Sequence, residues 1–317
     1  MKHGLSLALA ASLALLSGCS AAAQPGGRLA ARGDATTEVK LQHDGRARRY
    51  LISDFSRGKP APVVIVLHGG GGHPENAQNM SQMDAIARRE NFIAVYPGGT
   101  GGTPGGRLLT WNAAHCCAYA LDNKVDDVGF IRTIIDNLVA SGRADPKRIY
   151  VTGMSNGAMM SHVLARTLPD RIAAIAPIVG ATFGDEPPAR APVAAIIFVG
   201  QDDDTVPAAG GPLGGATKRG GRSAEDRNVA PDIVQAEYWA KANGCAAPVE
   251  LRDAAGKAVE IRWEKCTSGK PVHFYRVADN GHAWPGGRAG RAEADQPTQA
   301  MNASEMMWRF FTANPKS

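Results

Sequence analysis

The chain has 317 residues, is 44% hydrophobic and 21% charged, and carries a formal net charge of +5. The length suits one large α/β domain or two small ones, and the apolar fraction is enough for a real core. The charge is modest and no Lys/Arg block stands out, so nothing supports a nucleic-acid partner.

The opening MKHGLSLALAASLALLSGCS joins Lys2 to an uncharged Leu/Ala-rich run over 5–16. That run is too short to span a bilayer and suits the apolar region of a signal peptide. Leu16-Ser17-Gly18-Cys19 resembles a bacterial lipobox. It predicts a leader over 1–18 and an acylated Cys19; the alternative is an ordinary secretory cleavage near 21–23. Either route predicts an exported protein facing the periplasm or exterior. One lipid-bearing residue would anchor the protein without spanning, and no later run approaches the ~18 apolar residues of a transmembrane helix. Residues 19–35 read as a flexible tether, and 36–315 as one catalytic domain.

Within that domain, PVVIVL (62–67) is a continuous β-branched run followed by glycines, the pattern of a buried parallel strand. A helical pattern covers 79–89, then FIAVY (92–96) repeats the strand signal. Residues 98–110 are Gly-rich and aperiodic. A helical stripe covers 128–139, RIYVT (148–152) is a third strand, and 156–167 a helix. Strands over 173–179 and 193–199, a helix over 233–242, a strand over 272–277 and a helix over 298–312 complete the series. The segment 207–228 reads as a long surface loop. The alternation predicts a mostly parallel central sheet with helices on both faces.

The stretch Gly153-Met154-Ser155-Asn156-Gly157 has the spacing G-x-S-x-G directly after RIYVT and before a helix. Small flanking residues allow a sharp strand-to-helix turn that exposes a serine hydroxyl at the top of a sheet, which predicts Ser155 as a nucleophile. The plainer reading is a serine in a tight turn. On this fold the acid and then the histidine follow the serine in chain order. Of eight histidines, two remain downstream once His162, in the helix just beyond the serine, is set aside. His273 alternates within a strand and reads as structural. His282, in the loop NGHAWPGG, is the expected base. The acid should follow VAAIIFV, where Asp202, Asp203 and Asp204 compete; Asp203 fits the G-x-x-D-x-x-V pattern formed with Gly200 and Val206.

The carbonyl oxygen of an ester becomes anionic during attack and needs two N–H donors. One is expected from Asn156. The other is expected from the loop His68-Gly69-Gly70-Gly71-Gly72, with Gly70 preferred and Gly71 close behind. No GxxxxGK[ST] occurs, which argues against nucleotide binding. Trp111, Trp284 and His68 are candidate substrate contacts; the two tryptophans can also be read as partly buried aromatics, and Trp284, two residues from His282, is favoured for contact. Asp126 and Asp127 precede a helix and read as capping residues. His115-Cys116-Cys117 lacks metal-site spacing, so no metal or cofactor is expected. With Cys19 assigned to lipid, four cysteines remain. A local Cys245–Cys266 bridge fits their setting, and Cys116 and Cys117 are either a strained pair or two buried thiols.

Together, LHGGGG (67–72), WNAAHCC (111–117), VDDVGFI (125–131), GMSNGAMM (153–160), GxxDxxVP (200–207), WAKANGC (239–245) and GHAWPGG (281–287) resemble secreted esterases of the poly(3-hydroxybutyrate) depolymerase type. These are α/β-hydrolases that include LpqC-type lipoproteins and have feruloyl and acetylxylan esterases as relatives. The resemblance implies a serine esterase with Ser155, Asp203 and His282 as its triad. Where many relatives carry Cys or another residue after the HG of the first loop, this chain has Gly70, which bears on pocket shape. Polymer, soluble oligomers and small esters all stay open as substrates. A serine peptidase on the same fold and a catalytically inactive surface lipoprotein are the competing readings.

Overall fold

The computed structural model describes Met1 and residues 36–102, 108–214, 228–252, 256–290 and 293–316. The leader, Cys19, the tether and most of the 207–228 insertion lie outside the described residues. The strands in chain order are β1 (Thr37–His43), β2 (Arg46–Asp54), β3 (Ala61–Leu67), β4 (Ile93–Pro97), β5 (Ala144–Met154), β6 (Ala174–Ile178), β7 (Ala194–Gly200), β8 (Gly211–Pro212), β9 (Asn228–Val229), β10 (Val249–Arg252), β11 (Ala258–Trp263) and β12 (Val272–Val277). Ten of them form one sheet in the order β1-β2-β4-β3-β5-β6-β7-β12-β11-β10, and β8 pairs with β9 separately. The run from β4 through β12 is parallel, and antiparallel pairs extend it on both sides.

The uninterrupted apolar strands follow from burial on both faces. In β3, Val63, Ile65 and Leu67 enter one core, while Val64 and Val66 enter the other. Strand β7 divides likewise, Ala195, Ile197 and Val199 against Ala194, Ile196 and Phe198. Helices α4 (Asp127–Ala140), α5 (Asn156–Thr167) and α6 (Val234–Ala242) cover the first face. Helices α1 (Pro74–Ser81), α2 (Met83–Glu90) and α7 (Ala303–Ala313) cover the second, and a short α3 (Ala118–Asp122) precedes α4. Ring stacks of Tyr150 on Phe311 (4.7 Å) and Phe92 on Trp308 (4.1 Å) seat α7 against the sheet and α2. Each buries a large apolar area, and truncating Phe311 to Ala should cost about 3–5 kcal/mol.

Besides the additional α3, β8, β9, β10 and β11, three elements differ from expectation. The helix expected over 79–89 is two helices, because Gln82 takes a left-handed conformation (φ 54°) between them. The last helix starts at Ala303, because Thr298 is drawn into the His282 loop through its N–H and C=O. The hairpin of β1 and β2 is an addition. It turns on Asp44-Gly45, both at positive φ (50° and 70°), as a two-residue hairpin turn requires. Cys245 and Cys266 form a disulfide, and the sulfur atoms of Cys116 and Cys117 are brought together across a shared cis peptide bond. Among the described residues no helix is long and apolar enough to cross a membrane.

Candidate active site

The carboxyl ends of four parallel strands carry the site, with β6 lying between β5 and β7. Ser155 follows β5, the HGGGG loop follows β3, Asp203 follows β7 and His282 follows β12. Ser155 sits at φ 57°, ψ −121°, a conformation that costs an ordinary residue roughly 1–3 kcal/mol. Its N–H is tied to the Ile178 carbonyl (3.0 Å), and Asn156 begins α5 directly behind it. Contact distances explain both flanking glycines. A Cβ on Gly153 would stand 2.6 Å from the Gly157 carbonyl oxygen, and one on Gly157 would stand 2.5 Å from that of His68. Real Cβ atoms do not come so close, so β5, α5 and the HGGGG loop meet here only because both positions lack side chains.

That loop lies on the serine turn. A Cβ on Gly69 would touch Ser155 Cβ at 3.4 Å, and one on Gly70 would touch Asn156 Cβ at 3.7 Å. The amides of Gly71 and Gly72 are spent on the carbonyls of Leu109 (2.8 Å) and Gly69 (3.0 Å). Those of Gly70 and Asn156 have no acceptor among the described residues. The two N–H groups expected to serve an oxyanion are thus the uncommitted ones, and the geometry separates Gly70 from its competitor Gly71.

Asp203 and His282 come together. His282 Nδ1 lies 2.8 Å from Asp203 Oδ2, while Asp203 Oδ1 accepts the N–H groups of Thr205 (2.8 Å) and Val206 (2.7 Å). Asp203 is buried, whereas Asp202 and Asp204 are exposed. The buried Asn280 shapes the histidine loop. Its Nδ2 donates to the carbonyls of Gly281 and Ala283, and its Oδ1 accepts from Thr298 N–H. His273 stays within β12 against Glu264 (2.8 Å), and His162 is buried between Gln235 and Trp239.

The three expected substrate contacts stand elsewhere. Trp111 and Trp284 are 0% exposed, and His68 is buried too. The Trp111 indole donates to the His68 carbonyl (2.9 Å), and the Trp284 indole to Ser304 Oγ (2.9 Å). His68 Nε2 accepts the Gly99 N–H (2.9 Å), which leaves Nδ1–H to donate to the Gly69 carbonyl (2.7 Å). Burial pushes its pKa down to about 4, so the ring is neutral. These side chains brace the loops from beneath and present no face to a ligand. The physical reason is that each polar tip is needed to satisfy a buried backbone or hydroxyl group.

Asn156 adds a role that the motif did not reveal. Its side chain accepts from Trp111 N–H (2.7 Å) and donates to Trp111 C=O (3.1 Å), clamping the two sites of one residue. Asp126 caps α4 through Gly129 N–H, as expected. Asp127 does more. It is buried, pairs with Arg48 at 2.7 Å and accepts Asn112 N–H, which ties α4 to the Trp111 loop. The exposed apolar residue beside the site is Leu108, 67% exposed and at φ 54°, whose Cδ2 would lie 3.7 Å from a Cβ on Gly71. Sequence patterns favoured aromatics here; Leu108 lies at the end of a Gly-rich stretch without periodicity. Among the described residues no three His, Cys, Asp or Glu side chains converge as a metal site.

This strand order, with the serine turn after β5, the acid after β7 and the histidine after the last parallel strand, defines an α/β-hydrolase. The fold is shared with an acetyl xylan esterase from Aspergillus awamori (TM-score 0.53, 16% identity, covering 83% of this chain and 94% of that one). Residues 52–209 match the family model Esterase PHB depolymerase, and the chain belongs to that family. A feruloyl esterase B of Piromyces equi is 31% identical over 250 residues, which cover 75% of this chain and 42% of that protein. A poly(3-hydroxyalkanoate) depolymerase C of Paucimonas lemoignei is 29% identical over 266 residues, covering 79% and 62%. The chain therefore spans less than two thirds of each of these two relatives' lengths.

Proposed function

We propose that this chain is an exported serine esterase that hydrolyses carboxylic esters through an acyl-enzyme on Ser155. The reading rests on one observation above all: the 2.8 Å contact of His282 Nδ1 with Asp203 Oδ2, at the same sheet edge where Ser155 holds a φ of 57°. Ser155 Oγ attacks the ester carbonyl while His282 Nε2 takes its proton. Asp203 keeps the imidazole in the Nδ1–H tautomer and stabilises the imidazolium. The carbonyl oxygen, now anionic, receives the N–H groups of Gly70 and Asn156, each worth about 10²–10³ in rate. Collapse expels the alcohol, which takes the proton from His282. Water, deprotonated by the same ring, then releases the acid.

Hydroxyalkanoate oligomers or polymer and feruloyl or acetyl esters are the substrate classes that the relatives' names support. Acylation of Cys19 would hold the enzyme at a membrane surface facing the periplasm or exterior. The test uses p-nitrophenyl butyrate and a serine-directed phosphonate. Wild type should turn over the ester and take the label at Ser155, and Ser155→Ala should do neither. Wild-type turnover by Ser155→Ala would refute the reading. A panel of short acyl esters, hydroxybutyrate oligomers and methyl ferulate then ranks the substrate classes.

A further inference from the structure

His282 is held from two sides by two different carboxylates. Asp203 binds the ring, and Asp295, thirteen residues further along, accepts the main-chain N–H of His282 on Oδ2 at 2.5 Å. We propose that Asp295 is a positioning residue for catalysis: it fixes the backbone from which the imidazole hangs, and so aims the ring at Ser155. The inference rests on the reading that His282 is the base.

Three observations support it. The amide plane that carries the His282 N–H is held at its carbonyl end, where Gly281 C=O accepts Asn280 Nδ2 and Ala283 N–H (2.9 Å each), and Asp295 is the acceptor that fixes its N–H end. The Asp295 segment is docked on this loop by design of its neighbours. Thr298 N–H reaches Asn280 Oδ1 (3.1 Å), and Thr298 C=O receives Gly286 N–H (2.8 Å). Finally, a Cβ on Gly281 would lie 2.8 Å from the Asp295 carboxyl carbon, so the glycine before the histidine leaves room for this carboxylate. An N–H bond to an ionised carboxylate is stronger than one to a neutral acceptor. Asp295 is itself exposed, so its removal leaves no buried cavity to destabilise the fold.

The experiment compares Asp295→Ala, Asp295→Asn and His282→Ala with wild type on p-nitrophenyl butyrate, with Tm measured for each. Asp295→Ala should lower kcat about tenfold with KM within about twofold and Tm within ~2 °C. Asp295→Asn keeps an oxygen that can accept the same N–H and should recover to within about threefold of wild type. Wild-type kcat in Asp295→Ala, or no recovery in Asp295→Asn, would overturn the proposal, as would a fall in Tm that parallels kcat in both. An inactive His282→Ala beside an unaffected Asp295→Ala rejects this inference alone. An active His282→Ala rejects the reading beneath it.

Discussion

Replacing Asp203 by Asn is nearly isosteric, yet the surroundings dictate how the new amide must sit. Asp203 Oδ1 receives two backbone N–H groups, from Thr205 and Val206, so the amide oxygen of Asn must face them. The NH₂ then points at His282 Nδ1. A donor there forces the imidazole into its Nε2–H tautomer, which cannot accept the proton of Ser155. Flipping the amide would turn its NH₂ onto two N–H donors and leave both unsatisfied, at about 1–3 kcal/mol each. Taking about 4 kcal/mol for the pair and 1.36 kcal/mol per tenfold, the productive orientation is about 10³-fold rarer. Asp203→Asn should therefore lose about 10³ in kcat/KM for p-nitrophenyl butyrate while its circular dichroism and Tm stay near wild type. Asp202→Asn and Asp204→Asn, on exposed side chains, should stay within about twofold. A loss of less than tenfold in Asp203→Asn, or an equal loss in either neighbour, would refute the tautomer argument.

Two further outcomes follow from buried groups. Trp284→Phe removes the donor to Ser304 Oγ and should lower stability by about 1 kcal/mol in urea unfolding. KM should not change, because the indole is 0% exposed; a KM rise without loss of stability would return Trp284 to the substrate surface. His68 and His162 have pKa values lowered by burial, to about 4 and about 3. Between those values and the unfolded value near 6.5, the unfolded chain binds more protons than the folded one, so stability is full above about pH 6.5 and falls as pH drops. Each group should cost about 2 kcal/mol between pH 6.5 and 5, read as a lower urea midpoint. His162→Asn should flatten the dependence, and a midpoint that is the same at pH 5 and 7.5 would contradict it.

The parallel strands were legible because burial on both faces leaves unbroken apolar runs, as in PVVIVL and VAAIIFV. The β1–β2 hairpin was not, although Asp44-Gly45 is a strong turn signal, because β1 turns Glu38 and Lys40 to water while β2 buries Arg48 and Asp54 in ion pairs with Asp127 and Arg143 that only the fold supplies. The strand-to-helix turn, the acid loop and the histidine loop could be placed because each depends on local spacing next to a recognisable strand. The buried state of Trp111, Trp284 and His68 could not be read locally. It depends on contacts with residues that lie dozens to hundreds of positions away in space-filling terms only the fold supplies, such as Ser304 through Ser81 and Trp111 through Asn156. Asp295 was missed for the same reason: nothing in the run around it marks a carboxylate that reaches back to the histidine.

The link from Asn156 through Trp111 to His68 has a practical consequence for redesign. Three loops from distant parts of the chain are cross-braced, so the residues at 68, 111 and 156 behave as a single transplantable frame. Grafting the serine turn alone into another scaffold would carry over Ser155 without the brace that seats the HGGGG loop beside it. Retuning this enzyme for new esters is better done at Leu108, which is open to solvent and outside the brace, leaving the frame intact.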